Sequence, residues 1–233
     1  EYRFEGLEVF TAQSSPGIAS IASAVSLHGA VRISTSTLCF EPAAGVFEVN
    51  VTSVTASWED NGNTGWTKYL VECSSESEGG LVLKSSWTLN TEYGFEGLEA
   101  NTTHWFRVKA RNANGVDTDW TELGSTSTLC SNPETVSWGV VWTSSAVFTW
   151  NNTEPAPNPA DTVYIVRLSS VNFEGGTVYL SETLRSAGSA AVVDLEANTT
   201  YYGLVLARNR NRVDSISLIL TTSTLCLEPA AGV

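Results

Sequence analysis

One pentapeptide, Thr-Ser-Thr-Leu-Cys, occurs three times in this chain and ends each time at a cysteine: Cys39, Cys130 and Cys226. The intervals are 91 and 96 residues (39 to 130, and 130 to 226). Self-similarity at a fixed period is the signature of a repeated domain, and a period near 100 residues suits one small β-sandwich. The 233-residue chain therefore has room for two complete units and a remainder.

Two further motifs recur in the same register. Glu-Tyr-x-Phe-Glu-Gly-Leu-Glu stands at residues 1–8 and 92–99, and Leu-Glu-Ala-Asn-Thr-Thr stands at 98–103 and 195–200. The register predicts a partial or degenerate repeat holding only a C-terminal half, then two complete domains, then the start of a next repeat or a tail. Their predicted boundaries are 1–39, 40–130, 131–226 and 227–233.

Apolar and polar residues alternate along several short runs of the first complete repeat. The runs are Ser53 to Trp58, Lys68 to Cys73 and His104 to Ala110, with His104 and Ala110 on the inward face of the third. Period-2 alternation predicts half-buried antiparallel strands, and the Asp-Asn-Gly-Asn and Asn-Gly segments between runs are turn signals. Short strands with regular turns favour an all-β sandwich.

Composition narrows the classes of partner. Met is absent, and the formal net charge is −13, which repels phosphate backbones and argues against nucleic acid as a partner. No apolar run approaches the ~20 residues of a membrane helix, so we expect a chain that is not membrane-inserted. No signal peptide is visible, and we interpret the chain as mature or internal.

Four features of the first complete repeat carry a family resemblance, which extends over both complete repeats. One strand ends in Trp58, the next opens with Tyr69, Leu98 precedes Asn-Thr-Thr, and Phe, Val, Ala and Asn alternate over 106–112. These residues resemble a fibronectin type III domain, and the segment Val-Lys-Ala-Arg-Asn-Ala-Asn-Gly-Val is most similar to long tandem arrays in bacterial surface proteins. The resemblance implies tandem immunoglobulin-like, seven-stranded Greek-key sandwiches that serve as spacers, adhesive modules or receptor segments.

The resemblance also implies a tyrosine corner, in which a Tyr hydroxyl bonds to nearby backbone. The corner falls on Tyr201 in the second repeat, whereas the first repeat departs from the family with His104. The family carries no catalytic residues of its own. We therefore expect no enzymatic activity, no catalytic residue, no cofactor and no metal site.

The cysteines offer one candidate disulfide within a domain. In a sandwich, Cys39 and Cys130 would lie at opposite poles, roughly 30 Å apart, whereas a disulfide needs Cα atoms within ~7 Å. Cys73 ends a strand at the pole of Cys130, which makes Cys73 with Cys130 the intradomain candidate. Buried or junction thiols without function are the default alternative, and junction cysteines that bridge chains are another.

Two surface features complete the candidate sites. Sequons stand at Asn50, Asn101, Asn151 and Asn198, and they are candidate glycosylation sites if the chain is secreted by a eukaryote; a turn built by Asn-Thr-Thr is the alternative. An outward face with interleaved cations and aromatic rings is the candidate interaction face. It comprises Trp105, Arg107, Lys109, Arg111 and Trp120.

These features favour a non-enzymatic extracellular or cell-surface array, a segment of a fibre or filament built from end-to-end β-sandwiches. The expected partners are proteins, foremost neighbouring copies of the chain, with carbohydrate as a further candidate. The alternative is a carbohydrate- or protein-binding accessory module of a larger secreted enzyme or receptor.

Overall fold

The computed structural model describes residues 21–27, 30–77, 80–151, 156–174, 178–184 and 188–229. Its described elements are all β-strands. Most of the predicted partial repeat (residues 1–20) and part of the predicted C-terminal segment (230–233) lie outside the described residues.

Seven strands of the described chain form the first sandwich. One sheet has the order β3-β4-β7 and the other has the order β6-β5-β8-β9, and all pairs are antiparallel. This arrangement confirms the predicted seven-stranded sandwich. The strands are β3 (Ala43–Val49), β4 (Ser53–Glu59), β5 (Lys68–Ser74), β6 (Val82–Lys84), β7 (Glu92–Glu96), β8 (Thr103–Arg111) and β9 (Thr121–Ser127).

The second sandwich repeats this plan with a divided last strand. Its sheets have the orders β10-β11-β14 and β13-β12-β15, with β16 and β17 both pairing β15. The strands are β10 (Glu134–Val141), β11 (Ala146–Asn151), β12 (Val163–Ser169), β13 (Val178–Leu184), β14 (Ser189–Val192), β15 (Thr200–Arg208), β16 (Asp214–Ile216) and β17 (Leu220–Ser223).

An aromatic pair lies between the two sheets of each sandwich, as the alternation predicts. Trp58 and Tyr69 are buried with ring centroids 5.6 Å apart, and Trp150 and Tyr164 are buried with centroids 5.4 Å apart. Alternate residues of β8 are buried, so the predicted inward face from His104 to Ala110 is confirmed. Burial of these rings and of the Val, Leu and Phe side chains around them supplies most of the stabilisation of each core.

The tyrosine corner is present in the second sandwich. The Tyr201 hydroxyl accepts a hydrogen bond from the backbone N–H of Glu196 (2.9 Å). In the first sandwich His104 is buried at this position, and its Nε2 has no hydrogen-bond partner among the described residues. The departure predicted from the sequence therefore leaves a buried polar atom unsatisfied, which is costly.

A two-stranded antiparallel hairpin precedes the first sandwich. It joins β1 (Ile21–Leu27) to β2 (Ala30–Ser36). β2 lies one repeat interval before β9, since residues 30 and 121 differ by the same 91 positions as Cys39 and Cys130. β2 therefore lies at the position that the last strand, β9, has in the first sandwich, and the partial repeat remains a prediction.

Candidate interaction surfaces

The junction between the two sandwiches is closed by the side chain of Asn101. Its Nδ2 donates to Thr162 Oγ1 (2.8 Å), and its Oδ1 accepts from the backbone N–H of Arg210 (2.9 Å). Arg210 Nε also donates to the Asn101 carbonyl (3.2 Å) and the guanidinium binds Asp161. Asn101 is 2% exposed and Thr162 is 1% exposed, so the bond between their side chains is desolvated, and breaking it leaves costly unpaired groups.

A second asparagine contact occurs at both ends of the first sandwich. Asn209 Nδ2 donates to the backbone carbonyl of Thr128 (3.1 Å), and Asn112 Nδ2 donates to the carbonyl of Thr37 (3.0 Å). Each asparagine lies in the loop after β15 or β8 and reaches back to the segment that precedes its own sandwich. We call this contact the asparagine staple, and it links a sandwich to the end of the preceding repeat.

The same asparagines also shape their own loops. Asn112 Oδ1 accepts the backbone N–H groups of Asn114 and Val116 (3.1 and 2.9 Å). Asn209 Oδ1 accepts those of Asn211 and Val213 (3.0 and 2.8 Å). The two loops share the sequence Asn-x-Asn-x-Val, so the bonded amide oxygen fixes the direction in which the amide nitrogen points.

The chain that enters each sandwich is held by another asparagine. Asn63 accepts from the N–H of Phe40 and donates to its carbonyl (both 2.8 Å). Asn158 does the same with Ser131 (2.8 and 3.0 Å) and also donates to the Tyr164 hydroxyl (3.0 Å). A side-chain amide that pairs both backbone groups of one residue stiffens the connection between domains.

The cysteine geometry disagrees with the candidate disulfide. Cys130 packs in the core of the second sandwich and Cys73 packs in the core of the first, and both are free thiols. Cys39 likewise packs against the core of the sandwich that follows it. Cys39 and Cys130 therefore each pack with the core of the following sandwich, which is the physical reason that Cys130 does not meet Cys73. Burial raises the pKa of both thiols, Cys73 and Cys130, to about 12.

Four residues of the predicted interaction face lie together on the first sandwich. Arg107 Cζ and Lys109 Nζ lie 4.5 and 4.9 Å from the centroid of the Trp120 ring. Arg111 Cζ lies 3.9 Å from the ring of Trp87, and Lys109 Nζ lies 5.6 Å from it. We call these five residues the cation–aromatic face. Such contacts contribute ~0.5–1 kcal/mol each at exposed positions.

Sequence reasoning missed Trp87 and included Trp105. Trp87 lies in the irregular segment after β6, where no alternation shows which way a side chain points. Trp105 is on the predicted outward side of β8 and, together with Glu72 and Arg107, lines a pocket of about 200 Å³ beside this face.

Acidic side chains pair with the cations of this face. Asp117 accepts from Lys109 Nζ (2.7 Å) and from the Arg111 guanidinium, and Arg107 binds Glu72 (2.7 Å). The hydrogen bond from Arg111 is the main reason that the pKa of Asp117 falls to about 2. The cations are thus held in place by both acids and rings.

The four sequons lie in different environments. Asn50, Asn151 and Asn198 are exposed, whereas Asn101 is buried in the junction. Asn101 and Asn198 have positive φ values of 46° and 51°, and Thr102 and Thr199 donate from Oγ1 to the carbonyls of Ala100 and Ala197. These contacts support the interpretation that Asn-Thr-Thr builds the turn. Glycosylation remains a prediction.

Two other kinds of site are absent from the described part of the chain. No group of three or more His, Cys, Asp or Glu side chains is placed to hold a metal ion. Among the same residues there is no helix of the length and apolarity needed to cross a membrane.

The first sandwich shares its sequence pattern with a known domain family. Residues 41–126 match the family model of the fibronectin type III domain. A two-domain fibronectin type III segment from chicken tenascin matches over 78% of this chain and 98% of its own length, with a TM-score of 0.56 and 17% identity. Both sandwiches have the fibronectin type III fold. This confirms the predicted fold class.

The FN1–FN3 domains of chicken CNTN1 match over 87% of this chain and 76% of their own length, with a TM-score of 0.36 and 16% identity. No curated protein matches the sequence. The fibronectin type III fold hosts many functions, so the function of this chain depends on its own surfaces.

Proposed function

We propose that the chain is a non-enzymatic segment of an extracellular or cell-surface array of end-to-end β-sandwiches, with a structural or adhesive role. The closed junction at Asn101 carries the proposal. A flexible linker would leave the two sandwiches free to reorient, whereas this junction buries an amide of the first sandwich, Asn101, that bonds to Thr162 and Arg210 of the second. Domain contacts of this kind set the stiffness of an array.

The hydrogen bonds that hold the chain where it enters each sandwich support the same function. Asn63 and Asn158 each pair with both backbone groups of the residue that follows a junction cysteine. Proline stands near both connections, at Pro42 and Pro133, and limits backbone freedom there. The net charge of −13 keeps a long surface polymer soluble.

Residual dipolar couplings measured on the full chain test the proposal. A single alignment tensor that fits both sandwiches would support a rigid array segment. Two unrelated tensors, with independent rotational diffusion of the two sandwiches, would overturn it. Antibodies raised against the folded chain should also label the surface of intact source cells or the material outside them, and labelling confined to the cell interior would contradict the assigned location.

The second candidate is a protein-binding accessory module that uses the cation–aromatic face. That face is half-buried and lies on the side of the sandwich rather than at a pole, so it stays open in an end-to-end array. Cations already cover the rings of Trp87 and Trp120, which favours a protein over a stacked sugar. Trp120→Ala should weaken capture of such a partner from source material without changing the common alignment tensor of the two sandwiches.

A further inference from the structure

The rear pole of the second sandwich matches a surface that is buried in the first. We define the rear pole by Asn198, Thr222, Thr224, Leu225 and Cys226. Asn198 and Cys226 are exposed, and Leu225 is 54% exposed. Their counterparts one repeat earlier include Asn101 and Cys130, each 2% exposed because the following sandwich covers them.

The internal geometry of the two rear poles is the same. Thr128 Oγ1 donates to the Glu99 carbonyl and accepts from the Thr102 N–H. Thr224 Oγ1 donates to the Glu196 carbonyl and accepts from the Thr199 N–H. The carbonyl of Thr224 therefore stands where that of Thr128 accepts the asparagine staple. A partner that fits one pole meets equivalent groups on the other.

The partner loop is also the same at both junctions of this chain. Asn112 and Asn209, the first asparagines of the two Asn-x-Asn-x-Val loops, make the staple to Thr37 and Thr128. At the second junction Asn211, the second asparagine of its loop, adds a bond from Nδ2 to Thr126 Oγ1 (2.9 Å). Thr222 is the counterpart of Thr126 on the rear pole.

We propose that the rear pole of the second sandwich is a docking site for the Asn-x-Asn-x-Val loop of another sandwich of this repeat. The first asparagine of that loop donates to the Thr224 carbonyl, and the second donates to Thr222 Oγ1. The inference rests on the proposed array function, because it extends the observed junction to a further partner.

Asn198 adds a preference between two kinds of sandwich. Its counterpart Asn101 binds Thr162 and Arg210. The first sandwich has Thr67 where the second has Thr162, but it has Ala113 where the second has Arg210. A sandwich with arginine at this place can donate from Nε to the Asn198 carbonyl, as Arg210 does to the carbonyl of Asn101, and therefore docks more firmly than one with alanine.

A three-sandwich chain tests the inference. A copy of residues 131–226 is joined after Cys226 of the full chain, and residual dipolar couplings are measured for all three sandwiches. We expect one common alignment tensor. The matched variant changes the appended copy's counterpart of Asn209 by Asn→Asp, which keeps the oxygen that orders the loop but replaces the donor with an acceptor. In this variant we expect the first two sandwiches to keep one alignment tensor and the third sandwich to require a different one.

Thiol reactivity separates folding from docking. Cys130 packs inside the sandwich that follows it. Once the appended sandwich folds, Cys226 should therefore react with a thiol reagent at about one tenth of its original rate or more slowly still. A protected Cys226 with an independently tumbling third sandwich would overturn the inference. So would an Asn→Asp variant that leaves the common tensor intact.

Two further outcomes are decisive. Independent tumbling of the first two sandwiches would refute the array function itself rather than the docking site. If the appended copy does not fold, Asn209→Asp in the original chain provides the test, because loss of the staple must loosen the existing junction. An unchanged junction in that variant would overturn the inference.

Discussion

Gly203 lies directly beneath the ring of Phe148 in the second sandwich. A Cβ atom on Gly203 would lie 2.5 Å from Cε2 of Phe148 and 2.8 Å from Cζ2 of Trp138. The first sandwich fills the equivalent space from the opposite sheet, with Phe106 at the place of Gly203 and Ala56 at that of Phe148. One large ring and one small residue therefore occupy this layer in each core. The ring is on β11 in the second sandwich and on β8 in the first.

Gly203→Ala should destabilise the second sandwich by about 1–3 kcal/mol, because the added methyl group overpacks a core already filled by Phe148 and Trp138. Native-state hydrogen exchange measures the effect in the sandwich that carries each substitution, at β12 and β15 for Gly203→Ala and at β5 and β8 for its control. Gly94→Ala is the matched control, since a Cβ there would meet only Thr55 Oγ1 at an ordinary 3.6 Å. Equal effects of the two substitutions would contradict this account of the packing.

Exchanging the large and the small residue of this layer between the two sheets should restore the stability of the second sandwich. Phe148→Ala alone leaves a cavity and should cost about 3–5 kcal/mol. Phe148→Ala combined with Gly203→Phe recreates the order found at Ala56 and Phe106, so the double variant should be far more stable than the sum of the single effects. A double-mutant cycle measures this coupling, and simple additivity would refute it.

His104 should make the first sandwich sensitive to acid. Burial lowers the pKa of His104 below the ordinary 6.5, while the nearby Glu99 carboxylate opposes the shift. The unfolded chain therefore binds the proton more readily than the folded one. The first sandwich therefore has its full free energy of unfolding above about pH 6.5, and this free energy decreases as the pH falls below that value.

His104→Tyr should remove this acid sensitivity. The residue borders a pocket of about 400 Å³, and a Tyr hydroxyl there would accept a bond like that of Tyr201 with the Glu196 N–H, worth about 1 kcal/mol. Hydrogen exchange of β5 and β8, measured between about pH 5 and 7, checks the result, because this range brackets the ordinary pKa of histidine. Tyr201→Phe is the converse control and should weaken only the second sandwich.

Asn101→Gly should loosen the junction while leaving both sandwiches folded. Glycine accepts the positive φ of 46° at this position, so the change removes the amide contacts without straining the turn. Relaxation of backbone ¹⁵N nuclei should report faster independent motion of the two sandwiches. Asn198→Gly is the matched control at the exposed pole and should not change that motion; an effect as large as that of Asn101→Gly would contradict the assigned role.

The four thiols should react at clearly different rates. Cys226 is exposed and Cys39 is partly buried, whereas Cys73 and Cys130 lie in the two cores with pKa values of about 12. An Ellman titration of the native chain should label Cys226 first and Cys39 next, and the buried pair only after unfolding. Early modification of Cys130 would mean that the junction opens readily.

Several features of the site were accessible from the sequence. Alternation predicted the outward positions of Arg107, Lys109 and Arg111, because side chains on a strand change face at every residue. Trp87 was not predicted, since it lies in an irregular segment where no period fixes direction. The pairing suggested for Cys73 and Cys130 came from placing both at one pole, and the structure instead packs Cys130 into the following core.

The sequence by itself determined the repeat, the all-β class and the inward residues of each strand, because these follow from local periodicity and turn chemistry. Only the tertiary structure decided what the asparagines do. Asn101 and Asn198 occupy identical hexapeptides, yet one is buried and the other exposed. The difference arises from contacts with residues such as Arg210, more than one hundred positions away, and no local pattern encodes such contacts.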